Sequence, residues 1–243
     1  MFALRGSFHE EWHRYDLALA DFGRAITLDP LDPDYHRRRA LVWGKKGELR
    51  KALEDFDEAI RLQPDAHGSR MDRGYVRYVQ RRWSEAAEDF SRQDFRHVYR
   101  YSPELGAERF VWIDLARRFE GKPQLGLAAI REYLDWYLDD AAVAGTRDEK
   151  LVAWPVPLAR FLAGDLSEAE LLALTDVNES DSAWEHNRAV EKRRGCHFVL
   201  AEWSRAQGLS TQADAHLRRA HGLPAHDPMS WVLAARLASF DAI

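Results

Sequence analysis

The sequence predicts an all-α solenoid of helix-turn-helix repeats, and three observations predict it. Residues of the same type return at a period of 34 positions through the first hundred residues. Within each period a small residue, an aromatic four positions later and a second small residue seven positions later fall on one face of a helix. Gly47 stands at a turn between paired helices, and Pro30 and Pro64 stand where the second helix of a pair must stop.

Ala18, Phe22, Ala25 and Pro30 recur as Ala52, Phe56, Ala59 and Pro64, and the first two recur again as Ala86 and Phe90. Small residues there let a neighbouring helix approach, while the aromatic fills the space between pairs. In front of each such helix lies another, helix A, ending near a position that tolerates a left-handed turn, as at Gly47. Gly6, Ala40 and Gly74 occupy the small position of helix A in units one to three. The third unit departs at Gln93 and Val98, where alanine and proline belong. Beyond residue 100 the turn signature persists as Gly121 to Gly126, Gly164 to Ala169 and Gly208 to Ala213, now about 40 to 44 residues apart. Extra turns or loops are expected near Tyr101 to Gly106, Ala144 to Lys150 and Asp176 to Glu191; within the last, Asp176 to Ser182 is acidic and polar and reads as an exposed loop, with Ser182 placed to cap the next helix. In the last unit Ala201 to Gly208 ends helix A, and Ala213, Leu217 and Ala220 line helix B. Pro228 then opens a capping helix over Met229 to Phe240. The expected organisation is one continuous array: 1–100 as three regular units, 101–175 as two degenerate helix pairs, and 176–243 as a final unit with its cap.

Composition narrows the function classes. The chain has 243 residues, 46% hydrophobic and 31% charged, which fits a soluble protein with a sizeable core. A formal net charge of −5 gives no general attraction to nucleic acid or anionic lipid. Cys196 is the only cysteine, so no intrachain disulfide forms. The longest uncharged stretch, about Leu151 to Ala159, is roughly half a membrane span, so no membrane insertion is expected. With neither a secretory apolar stretch nor a lipidation cysteine near Met1, the sequence as written reads as cytoplasmic; a periplasmic or membrane-anchored setting requires an upstream signal segment.

The pattern resembles the tetratricopeptide repeat, whose small residue in helix A, turn glycine, and Ala, aromatic, Ala and Pro along helix B appear here at the positions just named. The resemblance implies a right-handed superhelix that binds partner segments in a concave groove lined by helices A. A narrower resemblance, carried by Trp154-Pro155-Val156-Pro157-Leu158-Ala159-Arg160-Phe161-Leu162-Ala163-Gly164-Asp165-Leu166-Ser167 and by the unit beginning Gly195-Cys196-His197-Phe198, is to the NlpI lipoprotein family and related bacterial adaptors. It implies a dimerising adaptor for a tail-specific protease and cell-wall hydrolases. The chain lacks that family's signal peptide and lipidation cysteine.

Register with the repeat places Arg37, Leu41, Gly44 and Lys45, then Met71, Tyr75, Tyr78 and Val79, on the groove, with Arg38 and Asp72 nearby. Arginine and tyrosine combine contact area with directional hydrogen bonds, so an acidic or aromatic peptide segment suits this face. The competing reading is that Arg37, Arg38, Arg39, Arg70, Arg73 and Arg77 solubilise a helix face and pair with the chain's own acids. The asparagine positions of a terminal-carboxylate clamp hold Ser7, Leu41 and Tyr75, so that clamp is not built. The partner class expected is another protein or peptide.

The sharpest enzyme-like signal is His9-Glu10-Glu11-Trp12-His13, which satisfies H-E-x-x-H, the helical spacing of a zinc hydrolase. A third ligand and a preceding strand are missing, and the repeat register makes His9 a packing residue. No catalytic residue, metal or cofactor is therefore assigned, and a zinc-dependent hydrolase stands as the alternative. His216, His221 and His226 form no ligand set, and Cys196 reads as a buried thiol. Trp43, Trp83, Trp112 and Trp203 read as core or groove wall, whereas Trp136, Tyr137 and Trp231 suit a protomer interface. The first helix carries Phe2 on an apolar face that homodimerisation or an upstream segment would cover.

Overall fold

The computed structural model describes residues 1–65, 67–91, 106–139, 147–176 and 183–221. Among these residues the chain is helical, with no strand, and it divides after Asp89 into two compact units. No helix among them is long and apolar enough to cross a membrane. The expected capping helix, Trp231, His226, Ser182, Gln93 and Val98 lie outside the described residues.

In the first unit, α1 (Phe2–Glu11) and α2 (Tyr15–Leu28) form a hairpin, as do α3 (Pro33–Lys45) and α4 (Leu49–Leu62), followed by α5 (His67–Val79) and α6 (Trp83–Ser91). Odd-numbered helices are helix A and even-numbered ones helix B. Ala18, Phe22, Ala52, Phe56, Ala86 and Phe90 are all buried, as the periodicity requires. Phe22 packs so close to α1 that a methyl on Gly6 would stand 3.1 Å from its ring, which is why that position is small. Asp32 caps α3 by accepting from the Asp34 amide at 2.9 Å, with Pro33 in the first turn. Helices α2 and α4 stop two residues before Pro30 and Pro64.

The A-to-B turn needs one residue with positive φ. Gly47 takes it at 78°, and in the neighbouring repeats the equivalent residues are His13 at 54° and Arg81 at 62°. In the second unit Gly121, Gly164 and Gly208 fill the same role, at 82°, 84° and 78°.

The second unit pairs α7 (Gly106–Phe119) with α8 (Pro123–Asp139) and α12 (Ala183–Ala206) with α13 (Ser210–His221). Between them run the short helices α9 (Arg147–Val152), α10 (Val156–Ala163) and α11 (Glu168–Ala173), the last opened by a capping box between Ser167 and Glu170. The long helix α12 begins at Ala183, where a helix is expected to follow Ser182, and it has no proline or glycine before Gly195. Trp112 is buried with Phe90 at 6.2 Å and Phe198 at 5.6 Å, and Trp203 lies edge-on to Phe161 at 5.1 Å. Tyr137, expected at a protomer interface, is instead a core residue stacked on Tyr133 at 5.7 Å.

Candidate partner-binding face

Helices A of the first unit are held in place by a carboxylate clamp that recurs with the repeat. Arg5 grips Asp21 through Nε and Nη2, both at 2.6 Å. Arg39 grips Asp55 at 2.8 and 2.7 Å, and Arg73 grips Asp89 at 2.9 and 2.6 Å. In each case the arginine sits on helix A, and the acid, buried on helix B, lies 16 residues further on. Bidentate geometry fixes the angle between the paired helices as well as their distance. The Arg5 hydrogen bonds hold the Asp21 carboxyl below its ordinary range despite burial, and the Asp55 hydrogen bond raises Arg39. A third group completes each cluster: His9 stands 3.8 Å from Asp21, His36 3.4 Å from Asp55, and Arg77 2.7 Å from Asp89. Sequence reasoning missed this clamp, although its signal was present: Arg5, Arg39, Arg73 and Asp21, Asp55, Asp89 both recur at 34.

The residues expected on the groove separate into three kinds. Arg37 and Asp72 are joined across α3 and α5 at 2.8 Å. Gly68 makes room for that arginine, since a methyl there would stand 3.0 Å from the guanidinium carbon. Burial raises the Asp72 carboxyl and outweighs the opposing pull of Arg37. Arg38 donates to Asp34 at 2.6 Å and to the Ser7 hydroxyl at 2.9 Å, and Lys45 donates to Glu10 at 2.6 Å. Arg37, Arg38 and Lys45 are thus tied to neighbouring helices A by polar contacts. Leu41, Met71 and Tyr75 are half-buried on α3 and α5. Tyr78 is a correction: it is fully buried, edge-on to Trp83 at 4.9 Å, so it supports the α5–α6 hairpin and offers no surface.

The zinc motif does not assemble. Helix α1 ends at Glu11, and His13 lies beyond it in the left-handed turn conformation, so it does not share a helical face with His9. His13 Nδ1 lies 2.9 Å from the Tyr15 hydroxyl, His9 faces Asp21 and Glu10 holds Lys45. Among the described residues no group of three or more His, Cys, Asp or Glu side chains is placed to hold a metal ion.

Cys196, His197, His216 and Asp114 are buried within the second unit. The Cys196 thiol is pushed up to about 12 by burial. His197 and His216 meet with their Nδ1 atoms 3.2 Å apart, and burial lowers both, His197 to about 4. Asp114, raised by burial to about 6, pairs with Arg118.

Residues 33–66 match the family model described as tetratricopeptide repeat. Tetratricopeptide repeat protein 13 of Homo sapiens is 36% identical over 75 residues, 31% of this chain and 9% of that protein. DnaJ homolog subfamily C member 3 of Rattus norvegicus is 35% identical over 75 residues, 31% of this chain and 15% of that protein. The similarity thus spans a small part of the curated relatives. A solved tetratricopeptide repeat protein from Parabacteroides merdae shares the fold, with a TM-score of 0.54 at 13% identity, covering 97% of this chain and 83% of that one. Residues 33–66 thus match a tetratricopeptide repeat, and the chain shares the all-α helix-pair fold of that solved protein.

Proposed function

We propose that the chain is a non-enzymatic scaffold that binds a partner polypeptide along α1, α3 and α5 of the first unit. The observation that carries the reading is the row of cations on adjoining helices A: Lys45 on Glu10, Arg38 on Ser7 and Asp34, and Arg37 on Asp72. Leu41, Met71 and Tyr75 lie half-buried on the same helices. A partner carboxylate takes the place of Glu10 on Lys45, while apolar partner side chains cover the half-buried residues. The Arg–Asp clamps hold the helices at fixed spacing before the partner arrives, so little ordering cost falls on this side. Exposed charge pairs make the association weaken with salt.

The test uses Lys45→Gln combined with Tyr75→Ala. No charge is reversed, because Arg37 secures Asp72 and Lys45 holds Glu10, and a carboxylate in place of either would face another. Capture from native extract, with mass spectrometry, is expected to lose specific partners in the double variant while helical content is unchanged. The same partners recovered by both proteins would eliminate this face as the binding site. A protease or cell-envelope complex is the setting that the second-half resemblance adds to the proposal. The identities of the captured proteins test it.

A further inference from the structure

Helix α1 and its C-cap residue expose large apolar side chains at four-residue spacing: Leu4 at 67%, Phe8 at 56% and, at the C-cap, Trp12 at 67% of full exposure. The repeat itself shows what such a face is shaped to receive. One and two periods on, the equivalents of Phe8 are Val42 and Val76, and both are fully buried. Val42 packs against Ala18 and Phe22 of α2, the helix B that precedes it.

Charge follows the same template. Beyond its own clamp, Arg73 reaches back with Nη1 to Asp57 of α4 at 2.6 Å; Asp57 directly follows Phe56. Arg39 approaches the equivalent residue of α2, Gly23, where a Cβ would stand 3.9 Å from its Nη1. Arg5 is the next member of the series. Its clamp uses Nε and Nη2, and its side chain is 54% exposed. Arg5 and Phe8 therefore repeat, on an open face, the pair of features that α3 and α5 close against a preceding helix B.

We propose that this face docks an amphipathic helix of another protein, one carrying a small residue, an aromatic four positions later and a carboxylate immediately after it. Ala52-x-x-x-Phe56-Asp57 is this chain's own example of that stripe. Its apolar side is buried within the first unit. The last described helix of a second copy fits this face poorly. The helix α13 counterpart has its Ala213 and Leu217 buried, and Arg218 follows them where the carboxylate is needed, so it would face Arg5 with like charge. The proposal rests on Leu4, Arg5, Phe8 and Trp12, which the partner-binding face along α1, α3 and α5 does not use.

The probe is a hydrocarbon-stapled, fluorescein-labelled peptide of residues 49–62, the staple placed away from the Ala52–Phe56–Asp57 stripe, titrated with the full chain by anisotropy. Saturable binding is expected. Phe8→Glu, at an exposed position that the fold tolerates, is expected to raise the Kd by about tenfold or more, as loss of one buried aromatic contact requires. A peptide with Asp57→Arg is expected to weaken comparably. Leu125→Glu, at an exposed apolar position of the second unit, is expected to bind as the wild type does. No saturable binding, or equal affinity for Phe8→Glu, overturns the proposal. A wild-type dimer in sedimentation velocity that Phe8→Glu converts to monomer also overturns it, because a second copy is then the occupant.

Discussion

Replacing Gly23 with aspartate would install in the first hairpin the carboxylate that Asp57 supplies in the second. The site has room: a Cβ built on Gly23 meets only the Arg39 guanidinium, at 3.9 Å. In the second hairpin the corresponding contact, Arg73 to Asp57, closes to 2.6 Å. Two contributions add. Glycine inside a helix is about 1 kcal/mol worse than alanine and aspartate about half that, so the backbone contribution is roughly 0.3–0.5 kcal/mol. The ion pair is exposed on the acid side, as Asp57 is at 58%, which limits it to about 0.2–1 kcal/mol. The variant should therefore be more stable by about 0.5–1.5 kcal/mol. Urea unfolding followed by circular dichroism measures the total, and hydrogen exchange at α2 and α3 amides assigns it to the first unit. Gly23→Asn is the control, because it supplies nearly the same helix propensity without the charge. The advantage of Asp over Asn should disappear in about 1 M salt. If Asp and Asn are equally stabilising at low salt, Arg39 does not take the new carboxylate, and the repeat-to-repeat transfer of contacts is wrong.

Glycine at the two turn positions held by side chains, Arg81→Gly and His13→Gly, should stabilise by about 1 kcal/mol by removing left-handed strain, with the smaller gain at His13 because its contact with Tyr15 is lost; thermal unfolding checks both. Gly126→Ala should destabilise by about 1–3 kcal/mol or abolish folding, since the new methyl would stand 2.7 Å from the Asp114 Cα, which is backbone and cannot turn aside; denaturant titration of the second unit reads it. The buried His197 has a folded pKa near 4 against 6.5 unfolded, so protonation favours the unfolded state, and stability falls as pH drops from about 6.5 towards 4. The loss approaches about 3 kcal/mol at most, and Arg193, Arg219 and His216, which disfavour the charged form, contribute to it. Asp114 titrates with the opposite sign, gaining stability as pH falls through about 6, so the His197 effect is read as the difference between wild type and His197→Gln across that range.

The hairpins were legible because their causes are local. A small residue, an aromatic and a second small residue on one helix face, with a left-handed turn residue before them, specify a helix pair wherever they occur. The same register contained more than was taken from it. His13 is the period-equivalent of Gly47, so the second histidine of the zinc motif was bound to fall in a turn and not on a helix. The Arg–Asp clamp is equally periodic. Pairing of Arg39 and Arg73 with the chain's own acids is one of the two readings of those arginines, but the acids that recur with them at 34 identify the partners only once Arg5 and Asp21 are aligned with them.

Alone, the sequence determined the period, the helix pairing and the residues that must be small, since each depends on neighbours within one or two turns. Only the tertiary structure decided which groove residues are available. Arg37 finds Asp72, and Lys45 finds Glu10, across 35 residues, and Tyr78 is withdrawn into the core beside Trp83. Whether a side chain meets a partner or a neighbour in its own chain depends on what the adjoining helix places opposite it, and that is set by packing between helices.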